Sequence, residues 1–74
     1  MKSIFSLPDN WVYVGYADGT YENVANSDTL SRAEALEYKR EREKARGKRV
    51  KTVVLLTPEH HVVKRFNYKE ASNK

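Results

Sequence analysis

Two runs rich in β-branched and aromatic residues, Trp11 to Tyr16 and Tyr21 to Ala25, flank Ala17-Asp18-Gly19-Thr20. This juxtaposition constrains the fold more than any other feature of the chain. Asp-Gly supplies the positive φ angles of a tight turn, so the two runs fold back on each other as an antiparallel hairpin. Side chains alternate along a strand, which puts Val12, Val14 and Tyr16 on one face and Trp11 and Tyr13 on the other, with Gly15 between them. Both faces are apolar and require partners. The Trp11 and Tyr13 face, with Tyr21 across the hairpin, is either the core beneath a helix or a surface whose rings stack on bases or fill a pocket of a protein partner. Val12 and Val14 demand burial equally.

The helix has a start signal and a stop signal. Ser31-Arg32-Ala33-Glu34 matches a capping box, with Asp28 and Thr29 as alternative caps. Good helix formers run from Arg32 to Arg46, and Gly47 suits the left-handed residue that ends a helix. Leu30, Ala33, Leu36 and Tyr38 form the expected apolar stripe, so the first two turns should pack on the sheet and the last two should lie in solvent. Glu37 with Arg40, Glu41 with Lys44 and Glu43 with Arg46 are spaced to support the charged half as ion pairs.

Val50 to Leu56 is a near-continuous apolar run and reads as the central strand. Thr57-Pro58-Glu59-His60 is a turn, and the segment from His61 to Phe66 alternates as the second strand of another hairpin. The expected class is therefore α+β: a small antiparallel sheet made of two hairpins, with one principal helix. Residues 1–10 form an N-terminal arm or edge strand, 11–66 the single domain and 67–74 a flexible tail.

Length and composition bound what this plan can become. A chain of 74 residues buries only about 60% of its unfolded surface and holds one domain. The five Tyr, two Phe and one Trp are expected to weight the core toward aromatics. Without cysteine there is no disulfide framework and no thiolate metal site, which fits a reducing cytoplasm. The opening apolar stretch is too short for a signal peptide, and no run approaches the roughly 20 residues of a membrane span.

The net charge of +4 is unevenly distributed. Residues 1–38 carry two basic and six acidic side chains, whereas residues 39–74 carry twelve basic and four acidic. Seven basic residues crowd one short segment: Lys39, Arg40, Arg42, Lys44, Arg46, Lys48 and Arg49. Such a segment is the candidate contact for RNA or another anionic partner, by the attraction of clustered cations for phosphate or acidic protein. Catalysis has no visible seat. His60 and His61 are adjacent and point to opposite faces of an extended chain, the serines lie in no nucleophile context, and the three glycines are too scattered to cradle a phosphate. No enzyme activity, metal or cofactor is expected.

The chain opens Met1-Lys2-Ser3-Ile4-Phe5-Ser6-Leu7-Pro8-Asp9-Asn10 and continues as a small hairpin, a charged helix and a terminal hairpin, basic and free of cysteine. As a whole it resembles the small host-takeover proteins of bacteriophages, and more narrowly the Xanthomonas-phage type of transcription regulator that binds bacterial RNA polymerase. The resemblance implies binding to the N-terminal part of the polymerase β′ subunit, inhibition of initiation at host promoters, and antitermination. It further implies the elongation factor NusA and nascent RNA near the exit channel as partners, in the bacterial host cytoplasm. On this expectation Ile4, Phe5, Leu7, Trp11 and Tyr13 provide the apolar contacts with the protein partner, and the Lys39 to Arg49 segment steers association. The alternative is a small basic nucleic-acid-binding protein.

Overall fold

The computed structural model describes residues 10–68. It contains β1 (Trp11–Tyr16), β2 (Tyr21–Asn26), α1 (Arg32–Arg46), β3 (Val50–Leu56) and β4 (Val62–Asn67). The strands form one antiparallel sheet in the order β2-β1-β3-β4, and the single helix covers one face, giving an α+β fold. Each hairpin supplies one edge strand, and β3 is internal as its apolar run requires.

Both hairpins turn in the same way. Tyr16 N–H donates to Thr20 O and Gly19 N–H to Tyr16 O, which makes Ala17-Asp18-Gly19 a three-residue loop. Thr57 N–H donates to His61 O and His60 N–H to Thr57 O, so Pro58-Glu59-His60 repeats the arrangement. In each loop only the third residue is left-handed, Gly19 at φ 93° and His60 at φ 70°. The Asp18-Gly19 pair therefore does not form the two-residue turn with both residues at positive φ, and the longer loop ends in a left-handed residue instead. Asp18 closes its loop from the side, its carboxylate accepting from Thr20 N–H at 3.0 Å and from Thr20 Oγ1 at 2.6 Å.

The helix begins and ends at the predicted residues. Ser31 Oγ accepts from Glu34 N–H at 3.1 Å and Glu34 Oε1 from Ser31 N–H at 2.8 Å, completing the capping box. At the far end Gly47 N–H reaches Glu43 O at 2.9 Å. The face that meets the sheet matches the predicted stripe at Leu30 and Tyr38 but not at Ala33 and Leu36. Ala35 is fully buried and Tyr38 packs on the core, while Ala33 and Leu36 are exposed. Nor do the last turns lie free in solvent, because Arg42 and Arg46 reach Glu22 on β2 and Glu43 Oε2 accepts from Val50 N–H at 2.9 Å. The buried face runs through positions 35, 38, 39, 42 and 43, a helical stripe whose later members are charged and whose partner charge sits on a strand.

The core is aliphatic, contrary to the aromatic weighting expected from composition. Val12, Val14, Val50, Val53, Leu55, Leu30 and Ala35 cluster beneath the helix with Tyr16 as the one buried ring. Every strand pairing carries an irregularity, between Val12 and Tyr13, between Gly15 and Tyr16, and between Leu55 and Leu56. These bulges strengthen the local twist and let the small sheet wrap around one helix. The chain also stays ordered beyond the predicted boundary of the tail. Asn67 belongs to β4, and Tyr68 packs on the core with its N–H donating to Lys51 O at 2.8 Å. The predicted arm falls in residues 1–9 and the rest of the predicted tail in 69–74, outside the described residues apart from Asn10.

Candidate functional site

The helix covers one side of the sheet, and the register defines what the other side presents. Three cross-strand rows line it: Asn26, Trp11, Leu56 and Val62; then Asn23, Tyr13, Val54 and Arg65; then Tyr21, Gly15, Thr52 and Asn67. In the first two rows Trp11, Tyr13, Leu56 and Val62 form an apolar patch over the buried Val54, edged by Asn26, Asn23 and Arg65. Trp11 is 36% exposed and Val62 50%, and the Trp11 and Tyr13 rings lean on each other with centroids 6.1 Å apart at 42°. Of the two burial options for the Trp11 and Tyr13 face, this is the open one. A shallow hollow of about 370 Å³ follows the face from Leu56 and Val62 past Val54 to Tyr21, and a second of about 320 Å³ lies between Tyr21, Lys51, Arg65 and Asn67. Among the described residues no aspartate or glutamate lines either one.

The basic segment is brought together differently from what its sequence suggests. Arg42 and Arg46 both pair with Glu22, at 3.0 and 2.6 Å, on the helix-covered side of the sheet. Lys39 pairs with Glu43 at 3.3 Å and stands 5.5 Å from the Tyr68 ring centroid. Lys48 pairs with Asp18 at 3.0 Å and lies 5.1 Å from the Tyr16 ring centroid. The Arg49 carbonyl accepts from Ala17 N–H at 2.8 Å, anchoring the first hairpin loop to the start of β3. Arg40 and Lys44 lie on the outer side of the helix, in a hollow that Glu34, Glu37 and Glu41 also line. Most of the predicted anionic-contact residues are thus engaged within the fold, and the helix presents a mixed surface rather than a cationic one. Ile4, Phe5 and Leu7 lie outside the described residues; Trp11 and Tyr13 sit side by side on the open face.

The Glu22 cluster has a pH signature. Hydrogen bonds from Arg46 and Tyr16 hold the Glu22 carboxyl at about 2, well below its ordinary 4.5. Hydrogen bonds from the Thr20 hydroxyl and N–H, with Lys48, hold Asp18 at about 2. Burial and the Glu22 carboxylate push the Tyr16 hydroxyl upward. Both carboxyls are depressed in the folded state, so their stabilisation is complete above the unfolded values and is lost as pH falls toward the folded ones. The midpoint of thermal unfolding should therefore drop between about pH 4.5 and about pH 2, and Glu22→Gln should remove part of that drop. A midpoint that stays level across this window in the unsubstituted chain would refute the assignment.

Val54, Leu56, Val62, Arg65 and Lys51 belong to the open face and were not singled out from the sequence. The available signal was the alternation of Thr52, Val54 and Leu56 within β3, hidden because Val53 and Leu55 between them are apolar too. Among the described residues no group of acidic and histidine side chains is placed to hold a metal ion, and no helix is long and apolar enough to cross a membrane. No protein-family model, curated protein or solved structure matches the chain.

Proposed function

We propose that this chain is a non-catalytic regulator that binds a protein surface through the open face of its sheet. The partner implied by the resemblance is bacterial RNA polymerase, with inhibition of initiation and support of antitermination as the consequences. The observation that carries the reading is the apolar patch of Trp11, Tyr13, Leu56 and Val62, seated on the buried Val54, on the side of the sheet that the helix leaves uncovered. Contiguous apolar surface with a central Trp and Tyr is the composition of an interface centre. The engaged state of the helix cations favours this reading over a nucleic-acid-binding helix. Their summed field still steers association.

Purified polymerase should bind the chain stoichiometrically in the absence of nucleic acid. Trp11→Ala should weaken that complex by roughly 30-fold or more, the effect of truncating an anchor worth about 2 kcal/mol. Reversing Arg40 and Lys44 to Glu should mainly slow association; these two are chosen because reversal of Arg42 or Arg46 would set like charge against Glu22. Titration calorimetry and association kinetics at two salt concentrations provide the readout. Failure of purified polymerase to bind, alongside tight and steeply salt-dependent binding to free RNA or DNA, would sink the proposal and leave the nucleic-acid reading in its place.

A further inference from the structure

The third row of the open face differs in chemistry from the first two. Tyr21 stands opposite Gly15, and a Cβ on Gly15 would come 2.7 Å from Tyr21 Cε2 and 3.0 Å from its Cζ. The ring therefore lies down across the bare glycine, close to the strand on its inner side, with 57% of the residue in solvent. Beside it Lys51 and Arg65 line the hollow of about 320 Å³. Lys39, Arg42, Arg46 and Lys48 all have acidic partners, whereas Lys51 and Arg65 make no ion pair or side-chain hydrogen bond with any described residue. Among the described residues no carboxylate lines the hollow.

A supported ring with an open outer surface, next to two cations that no described residue neutralises, matches a ligand carrying planar groups on an anionic backbone. We propose that this end of the sheet binds single-stranded nucleic acid, with one base stacked on Tyr21 and the adjacent phosphates held by Lys51 and Arg65. An acidic peptide would answer the cations but bring no planar group to the ring. A duplex keeps its base faces inside the stack. Every base has a π-face, so the site should tolerate any sequence. With two phosphates engaged, the logarithm of affinity should fall against the logarithm of salt with a slope of about −1.4, at about 0.7 per phosphate for a single strand. That shallow dependence separates this site from a many-phosphate contact along the helix. The proposal is independent of polymerase binding, since it is tested on the protein alone.

The test is fluorescence anisotropy of labelled oligouridylate and oligodeoxythymidylate titrated with the full chain, with a duplex as a third probe and polyglutamate as a competitor. Both single strands should bind, the RNA strand equally or more tightly, and the duplex and polyglutamate much more weakly. Tyr21→Ala should reduce affinity roughly tenfold, as expected for one stacked base, while Tyr21→Phe retains the wild-type value. Arg65→Gln should lower affinity and reduce the salt slope by about 0.7. Circular dichroism should show all three variants folded, because Tyr21 and Arg65 are exposed. The proposal is overturned if neither single strand binds, if Tyr21→Ala in a folded protein binds as the unsubstituted chain does, or if duplex or polyglutamate competes as well as a single strand.

Discussion

Replacing Leu55 by Ala is expected to lower stability by about 2 to 5 kcal/mol, whereas the same change at Leu36 should cost no more than about 0.5 kcal/mol. Leu55 is 1% exposed, sits on an internal strand opposite Val12 and Lys64, and belongs to the cluster beneath the helix. Truncation there removes transfer energy and leaves a cavity that its β-branched neighbours are too stiff to refill. Leu36 is 36% exposed and lies outside the core cluster, so it loses less. A domain of this size has about 5 kcal/mol of stability rather than the upper end of the natural range, so Leu55→Ala should keep no more than about 3 kcal/mol and at the upper end of the expected loss would sit near its unfolding midpoint at room temperature. Urea midpoints for the two variants decide the matter. Equal shifts, or a larger shift at Leu36, would mean that the helix presents its other face to the sheet.

The second large effect is expected at Gly15. A side chain there would place Cβ 2.6 Å from Thr52 Cγ2 as well as 2.7 Å from the Tyr21 ring. Tyr21 is exposed and can swing aside, but Thr52 is buried on β3 and its hydroxyl is held at 3.0 Å from Phe66 O. Gly15→Val therefore forces the two central strands apart, at a cost of about 1 to 3 kcal/mol that outweighs the reduced freedom of the unfolded chain. The thermal midpoint should fall by roughly 4 to 8 °C for each kcal/mol lost. The ring-current shifts that Tyr21 imposes on Gly15 and Thr52 should vanish together with the stacking platform. A Gly15→Val protein with unchanged midpoint and unchanged shifts would show that the ring does not lie across the strand.

The elements whose signals are local were readable before any coordinates. Ser31 and Glu34 bond reciprocally within one turn, Gly47 ends the helix by its own backbone, and the apolar run of β3 needs no knowledge of its neighbours to demand an interior place. The face of the helix was only partly readable: Leu30 and Tyr38 are inside as expected, but a leucine at position 36 outweighs a lone Ala35 in any apolar count. What turns the helix is Glu22, a single carboxylate on a strand that gathers Arg42 and Arg46 and whose position relative to the helix is a tertiary fact. The same ion pairs explain why the basic segment suggested more free charge than it has. Trp11 and Tyr13 were legible as sharing a face. That this face stays open depended on which side of the sheet the helix chose, and Tyr21, Lys51 and Arg65 become neighbours only through the three pairings that join all four strands.

The sheet order has a consequence for how the molecule is made. The innermost pairing joins β1 to β3, segments separated in the chain by the whole of β2 and the helix. The first hairpin is complete before β3 has been made, yet its Val12 and Val14 have only Leu30 and Ala35 beside them until Val53 and Leu55 have been added. At bacterial or eukaryotic elongation rates that interval lasts on the order of seconds, far longer than a hairpin or a helix needs to form. A newborn chain therefore carries a finished but unsupported apolar ribbon, and closure waits for a late strand to slide in beside the earliest one. The interior is therefore closed in one cooperative step, once β3 has been made and has paired with β1.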